Sequence, residues 1–534
     1  MSRIASRVST PNRSALFLLL GLGTILVGCV GEVSAQSAAA TPVANAQAPD
    51  SRAETREISV ILPADAKPIA SSGRLLVFLT QRGAGRVTLS PSWFSPEPFF
   101  GVDVTDWRPG QTRRIDDQAL GFPGPLSELA PGRYRVAAIF DTDFYYPDPE
   151  AGVGSYYSQA AMLEVSEDQG FELSLELDQV VTATPWPESR YVRQYEERSE
   201  LLSDFHGREV LDHAAIILPA SYYDEPERRY GVIYRISGFG GHLPQMAASA
   251  ARSAGSPSDD EVEFIQVLLS GECKWGHHVY ADSATNGPRG RALIEEMIPT
   301  IDSRFRTVAD SRARYVTGHS SGGWSSLWLQ VTYPETFGGV WSSSPDPVDF
   351  RDYQRTNLYA RPAESLYFEA DGSRKPLARR GETPVVWYVD FGLMDDVLGR
   401  GGQLRSFEAV FSPLDDSGRP ALMWDRTSGE VRAEVADAWK PYDISLTLRE
   451  NWSELREPLA GKLHVVMGTL DTFYLEGATI LLKQELERLE SDADIEIVPG
   501  ADHGSVLTRE LRARQKREMT ETFLRYFDPQ GRPR

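Results

Sequence analysis

Arg314-Tyr-Val-Thr-Gly318-His319-Ser320-Ser321-Gly322-Gly323 is an apolar β run that breaks at Gly318 into a Gly-x-Ser-x-Gly pattern. It passes directly into a helical pattern with Trp324, Leu327, Trp328 and Val331 on one face. A sharp strand-to-helix turn of this kind holds the Ser320 side chain clear of a sheet, and the glycines let neighbouring backbone approach closely. The N-terminus of the helix favours negative charge developing at the serine. The five-residue pattern alone also fits an ordinary Ser/Gly turn. The strand before it and the helix after it make the elbow reading specific.

A serine hydroxyl is a poor nucleophile at neutral pH and needs a base. Of the eight histidines, His464 and His503 follow the elbow in chain order. His464 lies inside the strand pattern Leu463-His464-Val465-Val466, where packing in a sheet is expected. His503 follows the strand Ile495-Glu-Ile-Val498 in Pro499-Gly-Ala-Asp-His503-Gly504, at a strand end, and is expected to be general base and acid. The orienting carboxylate should end the preceding strand. Asp471 does so in Val465-Val466-Met467-Gly468-Thr469-Leu470-Asp471, 32 residues before His503. Asp471 also suits a helix N-cap, and Asp390, Asp395 and Asp396 are rival acids after the run Val385-Val-Trp-Tyr-Val389. Oxyanion donors are expected from the backbone N–H groups of Ser321 and Phe239, the latter in Ser237-Gly238-Phe239-Gly240-Gly241 after the strand Tyr230 to Ile236.

Around these sites, apolar β runs alternate with helical patterns from about residue 185, the mark of a mostly parallel sheet with helices on both faces. Strands are expected at 213–218, 230–236, 263–269, 314–318, 338–343, 463–468 and 494–498, with a closing helix near 509–526. Before this body, residues 56–180 have period two: Leu75, Val77 and Leu79 share one face, as do Tyr134, Val136, Ala138 and Phe140. A small antiparallel, immunoglobulin-like β-sandwich is expected there. Its aromatic pairs Trp93-Phe94, Phe99-Phe100, Tyr145-Tyr146 and Tyr156-Tyr157 fit either a small core or a flat platform for a sugar. Asp141, Asp143 and Asp148 read as turn residues, because the glycine and terminal glutamate of a calcium loop are missing.

Residues 1–35 read as an export signal: Arg3, Arg7 and Arg13 precede an apolar run at 15–28 that is short for a membrane span. Two processing solutions overlap. Leu26-Val27-Gly28-Cys29 resembles a bacterial lipobox, which would make Cys29 the lipidated residue, and Val33-Ser34-Ala35 suits ordinary signal peptidase. The first predicts a periplasmic or outer-membrane lipoprotein, the second a secreted or periplasmic protein. Residues 36–55 are rich in Ala, Ser, Pro and Gln and read as a tether. With Cys29 removed from the fold, Cys273 is a lone thiol and no intrachain disulfide is expected. The chain has 534 residues, enough for two or three domains, and a net charge of −21 that argues against a nucleic-acid partner.

With the elbow, the Ser237-Gly238-Phe239 loop and the late Asp471 and His503 together, residues 190–530 resemble the putative-esterase group of α/β-hydrolases. That group includes esterase D (S-formylglutathione hydrolase), enterochelin, feruloyl and acetylxylan esterases, and mycolyltransferases. In esterase D the corresponding loop likewise reads Ser-Gly-hydrophobic, which implies an oxyanion amide at Phe239. The resemblance covers about two thirds of the chain and implies a domain at 181–530 with an α/β-hydrolase fold and no cofactor or metal. Together with the export signal it implies an exported serine esterase acting through an acyl-enzyme, on esters such as siderophore or plant-polysaccharide derivatives. An acyltransferase or peptidase would use the same triad, and a noncatalytic surface-binding protein would keep the hydrolase body as a scaffold.

The chain departs from compact members at 345–460, a charged insertion carrying Trp424, Trp439 and Trp452 and a helix pattern at 431–440. A lid over Ser320 and an elaborated surface both fit. In the segment His277 to Gly290, leading into a helix at 292–305, His277, His278, Asp282 and Arg289 follow a strand end. They fit either substrate contacts at the rim or hydrogen bonding within that loop. Adjacent histidines alternate in direction, so they make a poor metal pair.

Overall fold

A computed structural model describes residues 55–82, 85–143, 148–256 and 260–534. The expected export signal, Cys29, the tether up to residue 54 and the Tyr145-Tyr146 pair lie outside these residues.

The larger body is built on an eight-stranded sheet in the order Val192–Arg198, Leu211–Ile217, Phe264–Leu269, Gly231–Ile236, Arg314–His319, Gly339–Ser343, Leu463–Gly468 and Asp494–Val498. The first three strands pair antiparallel and the rest run parallel, with Ile236 beside Gly318 and Gly318 beside Ser342. All seven expected strands form. The eighth, Val192–Arg198, is an edge strand that buries only Val192 and Tyr195, so its composition carried no apolar run. Parallel neighbours bury both faces, which is why the other strands read as continuous apolar stretches. The helix Ser321–Thr332 packs on the sheet with Trp324 and Leu327 fully buried. The closing helix Arg509–Leu524 is capped by the Thr508 side chain and lays Met519 and Phe523 against Phe264, Tyr315 and Trp341.

In the N-terminal part, the three-stranded sheet of Thr112–Ile115, Arg56–Ile61 and Phe171–Glu176 faces a seven-stranded sheet centred on Gly132–Asp141 and Gly73–Thr80. Ile58, Val60 and Leu175 from the first meet Leu75, Val77, Leu79, Val136 and Phe140 from the second in one core. The expectation of a purely antiparallel arrangement is corrected: Arg56–Ile61 and Phe171–Glu176 run parallel, with Val60 opposite Leu175.

The alternate residues of the larger sheet are also buried. Leu76, Phe78, Phe99, Ala137 and Ile139 point the other way and share a core with the hydrophobic residues of the larger body. Arg74 fixes the junction, donating from Nη2 to the carbonyl oxygens of Val397 at 2.7 Å and Asp396 at 3.2 Å. The described residues therefore form one compact unit, although the two parts have different sheets.

The insertion has its own secondary structure: a hairpin of Pro376–Arg380 and Thr383–Trp387, then helices Tyr388–Leu398, Gln403–Phe411, Ala433–Trp439 and Ile444–Leu459. Trp424 and Trp439 are core residues, with indole N–H groups bonded to Tyr367 Oη at 3.0 Å and Ser412 Oγ at 2.9 Å. Trp452 donates to the Leu489 carbonyl at 2.9 Å.

Candidate active site

Ser320 sits between the strand Arg314–His319 and the helix Ser321–Thr332 with φ 60° and ψ −127°. For a non-glycine residue such a conformation costs on the order of 1–3 kcal/mol and persists only where its surroundings enforce it. The enforcement is visible in the two flanking glycines. A Cβ on Gly318 would lie 2.0 Å from the Gly322 carbonyl oxygen, and one on Gly322 would lie 2.3 Å from the Ile236 carbonyl oxygen. The turn is thus locked against the neighbouring strand, and the Ser320 N–H donates to the Ser343 carbonyl at 3.1 Å.

The Ser237-Gly238-Phe239 loop lies directly on this turn: a Cβ on Gly238 would be 3.4 Å from Ser320 Cβ. Ser321 opens the helix, where backbone N–H groups have no partner within the helix. The two expected oxyanion donors are therefore carried on segments that flank the serine.

His503 Nδ1 lies 2.7 Å from Asp471 Oδ2, and Asp471 is fully buried. The other carboxylate oxygen, Oδ1, accepts the Phe473 N–H at 2.9 Å, so Asp471 also caps the turn that follows it. Asp502 Oδ1 accepts the N–H groups of Gly504 at 3.1 Å and Ser505 at 2.7 Å, forming the tight turn that presents His503. Burial alone would lower the His503 pKa, but the bond to Asp471 and the charges of Asp471, Asp346 and Asp502 raise it above the ordinary histidine value.

The rival groups are engaged elsewhere. Asp390 pairs with Arg374, Asp396 pairs with Arg405 and Arg426, and Asp395 accepts from the N–H groups of Leu404 and Arg405. His464 stacks on Trp341 and hydrogen-bonds the Val340 carbonyl.

Ser320 and His503 line one cavity of about 270 Å³. Its walls combine Phe239 from the loop, Phe473 and Leu475 beyond Asp471, and Leu377, Phe391, Leu404 and Phe407 from the insertion. Trp93 comes from the β domain, with its ring centroid 5.1 Å from that of Phe391 and 5.7 Å from that of Phe239. Further polar lining comes from His319, Asp346, Gln354 and Gln403. The insertion thus forms wall as well as surface, and of the aromatic pairs in the β domain Trp93 supplies a cavity residue while Phe99 and Phe100 fill cores.

Asp346 was not singled out by the sequence pattern. It follows the strand Gly339–Ser343 in Ser344-Pro345-Asp346, next to the elbow strand, and it accepts from Ser321 Oγ at 2.6 Å. Burial pushes its pKa up to about 6, against the lowering effect of the Ser321 hydroxyl and the charge of His503. The signal that would have found it is an acid just past the C-terminal end of a strand adjoining the nucleophile strand.

Of the two roles that fit the segment from His277 to Gly290, hydrogen bonding within the loop is the one its side chains take. His277, His278, Asp282 and Arg289 are not among the residues that line the cavity. His277 Nδ1 accepts the Val279 N–H at 3.1 Å, which leaves Nε2–H to donate to the Ser237 carbonyl at 3.0 Å. Burial lowers its pKa to about 4, so it is a neutral brace for the Ser237-Gly238-Phe239 loop. His278 Nδ1 accepts the Tyr280 N–H, and burial holds its pKa well below the ordinary value. Asp282 Oδ1 accepts from Gly290 and Arg291 N–H at the start of a helix, and Arg289 lies 3.7 Å from Asp212. Cys273 is buried and free, with its thiol pushed up to about 11 by burial.

Residues 212–504 match the family model described as "Putative esterase", more than half of the chain. Solved structures similar to this chain include a ferulic acid esterase at 15% identity, covering 62% of this chain and 98% of that one, with a TM-score of 0.40. A fluorophosphonate-binding serine hydrolase F of Staphylococcus aureus matches at 13% identity over 62% of this chain and 97% of its own, with a TM-score of 0.36. An S-formylglutathione hydrolase of Agrobacterium tumefaciens matches at 12% identity over 63% and 98%, with a TM-score of 0.36.

Proposed function

We propose, given that the chain belongs to the Putative esterase family of α/β-hydrolases, that it is a serine esterase in which Ser320 is acylated and His503, oriented by Asp471, carries the protons. The observation that carries this reading is the 2.7 Å bond from His503 Nδ1 to a fully buried Asp471 in a loop whose histidine shares one cavity with Ser320. The carboxylate fixes the tautomer with the proton on Nδ1 and stabilises the imidazolium formed when Nε2 takes the serine proton. The tetrahedral oxyanion is received by the backbone N–H groups of Phe239 and Ser321. Collapse expels the alcohol, which takes the proton from His503, and water repeats the sequence to release the acid.

The cavity suits a compact, largely apolar portion of the ester. Export of the protein, by lipidation at Cys29 or by ordinary cleavage, belongs to the same reading and is supported by the pattern of residues 1–35. The immunoglobulin-like reading of the β domain is supported by its two sheets sharing one core.

Fluorophosphonate labelling together with hydrolysis of p-nitrophenyl acetate tests the proposal. Wild type is expected to label and turn over, and Ser320→Ala to do neither while retaining its folded circular dichroism spectrum. Equal labelling of both proteins would overturn the assignment of the nucleophile.

A further inference from the structure

The walls of the cavity beside Ser320 have a definite electrostatic character. Five aromatic rings line it, from Trp93, Phe239, Phe391, Phe407 and Phe473, and among the described residues no Lys or Arg does. The Trp93 ring meets those of Phe391 and Phe473 edge-on, at 77° and 83°, so the rings surround a volume instead of forming one flat stacking surface. Among these walls stands the carboxylate of Asp346, a residue only 4% exposed.

The hydrogen bonds around Asp346 fix which polar atoms remain to a ligand. The single proton of the Ser321 hydroxyl goes to the Asp346 carboxylate at 2.6 Å. Gln403, whose Nε2 lies 3.2 Å from the same Oγ, must therefore donate to it. That turns Gln403 Oε1 away from the serine, and this oxygen is buried without a hydrogen-bond partner among the described residues. Gln354 has both ends occupied, by the Tyr388 hydroxyl and the Phe473 carbonyl. His319 is neutral, since burial and the neighbouring His503 lower its pKa to about 4. When His503 is neutral, as a general base must be, the one formal charge among the described residues of the lining is that of Asp346.

A buried carboxylate that faces the hydroxyls of Ser321 and Ser320, an adjacent acceptor and aromatic walls form a setting for a cation. An ammonium group gains the carboxylate's Coulomb attraction at low dielectric and the attraction of the ring faces. A substrate carboxylate would meet repulsion and an unmatched acceptor. We propose that the site prefers esters bearing an ammonium group, on either the acyl or the alcohol side, that lies against Asp346 and Gln403 Oε1 inside the aromatic wall. This rests on the esterase reading above.

The test compares kcat/KM of the full-length chain for charged and uncharged isosteres. The alcohol side is read with acetylcholine against 3,3-dimethylbutyl acetate, and the acyl side with alanine p-nitrophenyl ester against p-nitrophenyl isobutyrate. At least one pair is expected to favour the cation tenfold or more, with that ratio falling about tenfold in Asp346→Asn. Ratios near one in both pairs, or a preference unchanged in a folded Asp346→Asn, would overturn the inference while leaving the esterase reading intact. No Ser320-dependent turnover of any of the four esters, with no Ser320-dependent fluorophosphonate labelling, would overturn both. Wild type gives an independent readout should the variant not fold. Tetramethylammonium chloride should slow fluorophosphonate labelling of Ser320 at least threefold beyond sodium chloride of equal ionic strength, and equal rates would count against the subsite.

Discussion

The C-terminal edge of the parallel strands, the row of strand ends that carries Ser320, Asp471 and His503, and the walls that enclose the cavity were built by different physical constraints. The edge is set locally: a strand end, a turn and a helix start hold each group, and the tight packing at Gly318 and Gly322 leaves the elbow little alternative. The walls are set by distant segments that meet only after folding. Trp93 arrives from the β domain, Leu377, Phe391, Gln403 and Phe407 from the insertion, and Phe473 from the turn after Asp471. The comparison teaches that the chemistry of this protein and its selectivity are separable, one written in short motifs and the other in packing.

The largest effect expected is at the edge. Ser320→Ala should lower turnover of a simple ester by at least about 10⁴-fold, because the remaining groups act only together with the nucleophile. Asp471→Asn should come next, with kcat reduced by about 10³–10⁴-fold and the fold retained, since it leaves the shape but favours the wrong imidazole tautomer. If Asp471→Asn kept wild-type kcat, the carboxylate would be only the turn cap that its bond to Phe473 also makes it.

A wall variant should behave differently. Trp93→Ala removes a ring from the cavity without touching the strand ends, so kcat/KM should change by about tenfold, on the order of one aromatic contact's worth of binding energy, and selectivity among acyl and alcohol groups should broaden. An unchanged substrate profile would mean that the β domain has no part in selection and that the division between edge and wall is drawn in the wrong place.

The smallest effect is a shift along the pH axis. His503 must be neutral to accept the serine proton, so activity should rise with pH through its raised pKa and fall away on the acid side. The negative charge of Asp346 contributes to that elevation, so in Asp346→Asn the acid limb of the kcat/KM profile should move to lower pH. A limb that stays in place or moves upward would show that Asp346 does not act on the histidine electrostatically.

The parts of the site legible in the sequence are those whose backbone geometry restricts composition. Gly318 and Gly322 flank the serine because no Cβ fits there, and Asp471 and His503 end strands whose apolar runs announce them. Asp346 was hidden because the start of the insertion that it opens has no regular period, although its strand adjoins the elbow strand. His277, His278, Asp282 and Arg289 fitted either a rim or a braced loop, because polar groups past a strand end occur in both. Their side chains are engaged by backbone groups of Ser237, Val279, Tyr280 and Gly290 and by Asp212. Sequence offers no way to tell a histidine that faces a ligand from one that braces a loop.

The same distinction applies to the β domain. Period two assigned Leu75, Val77 and Leu79 to one buried face, and that face packs within the domain. Leu76 and Phe78 on the other face are equally apolar, and only the tertiary structure gives the reason: they bury against the larger body and bring the loop carrying Trp93 to the cavity. The sequence by itself therefore determined the order of strands and helices, the elbow and the candidate triad, because these depend on backbone geometry and short-range periodicity. Which acids, amides and rings surround the reacting ester was decided by tertiary packing, because segments far apart in the chain leave no local trace of the neighbours they will meet.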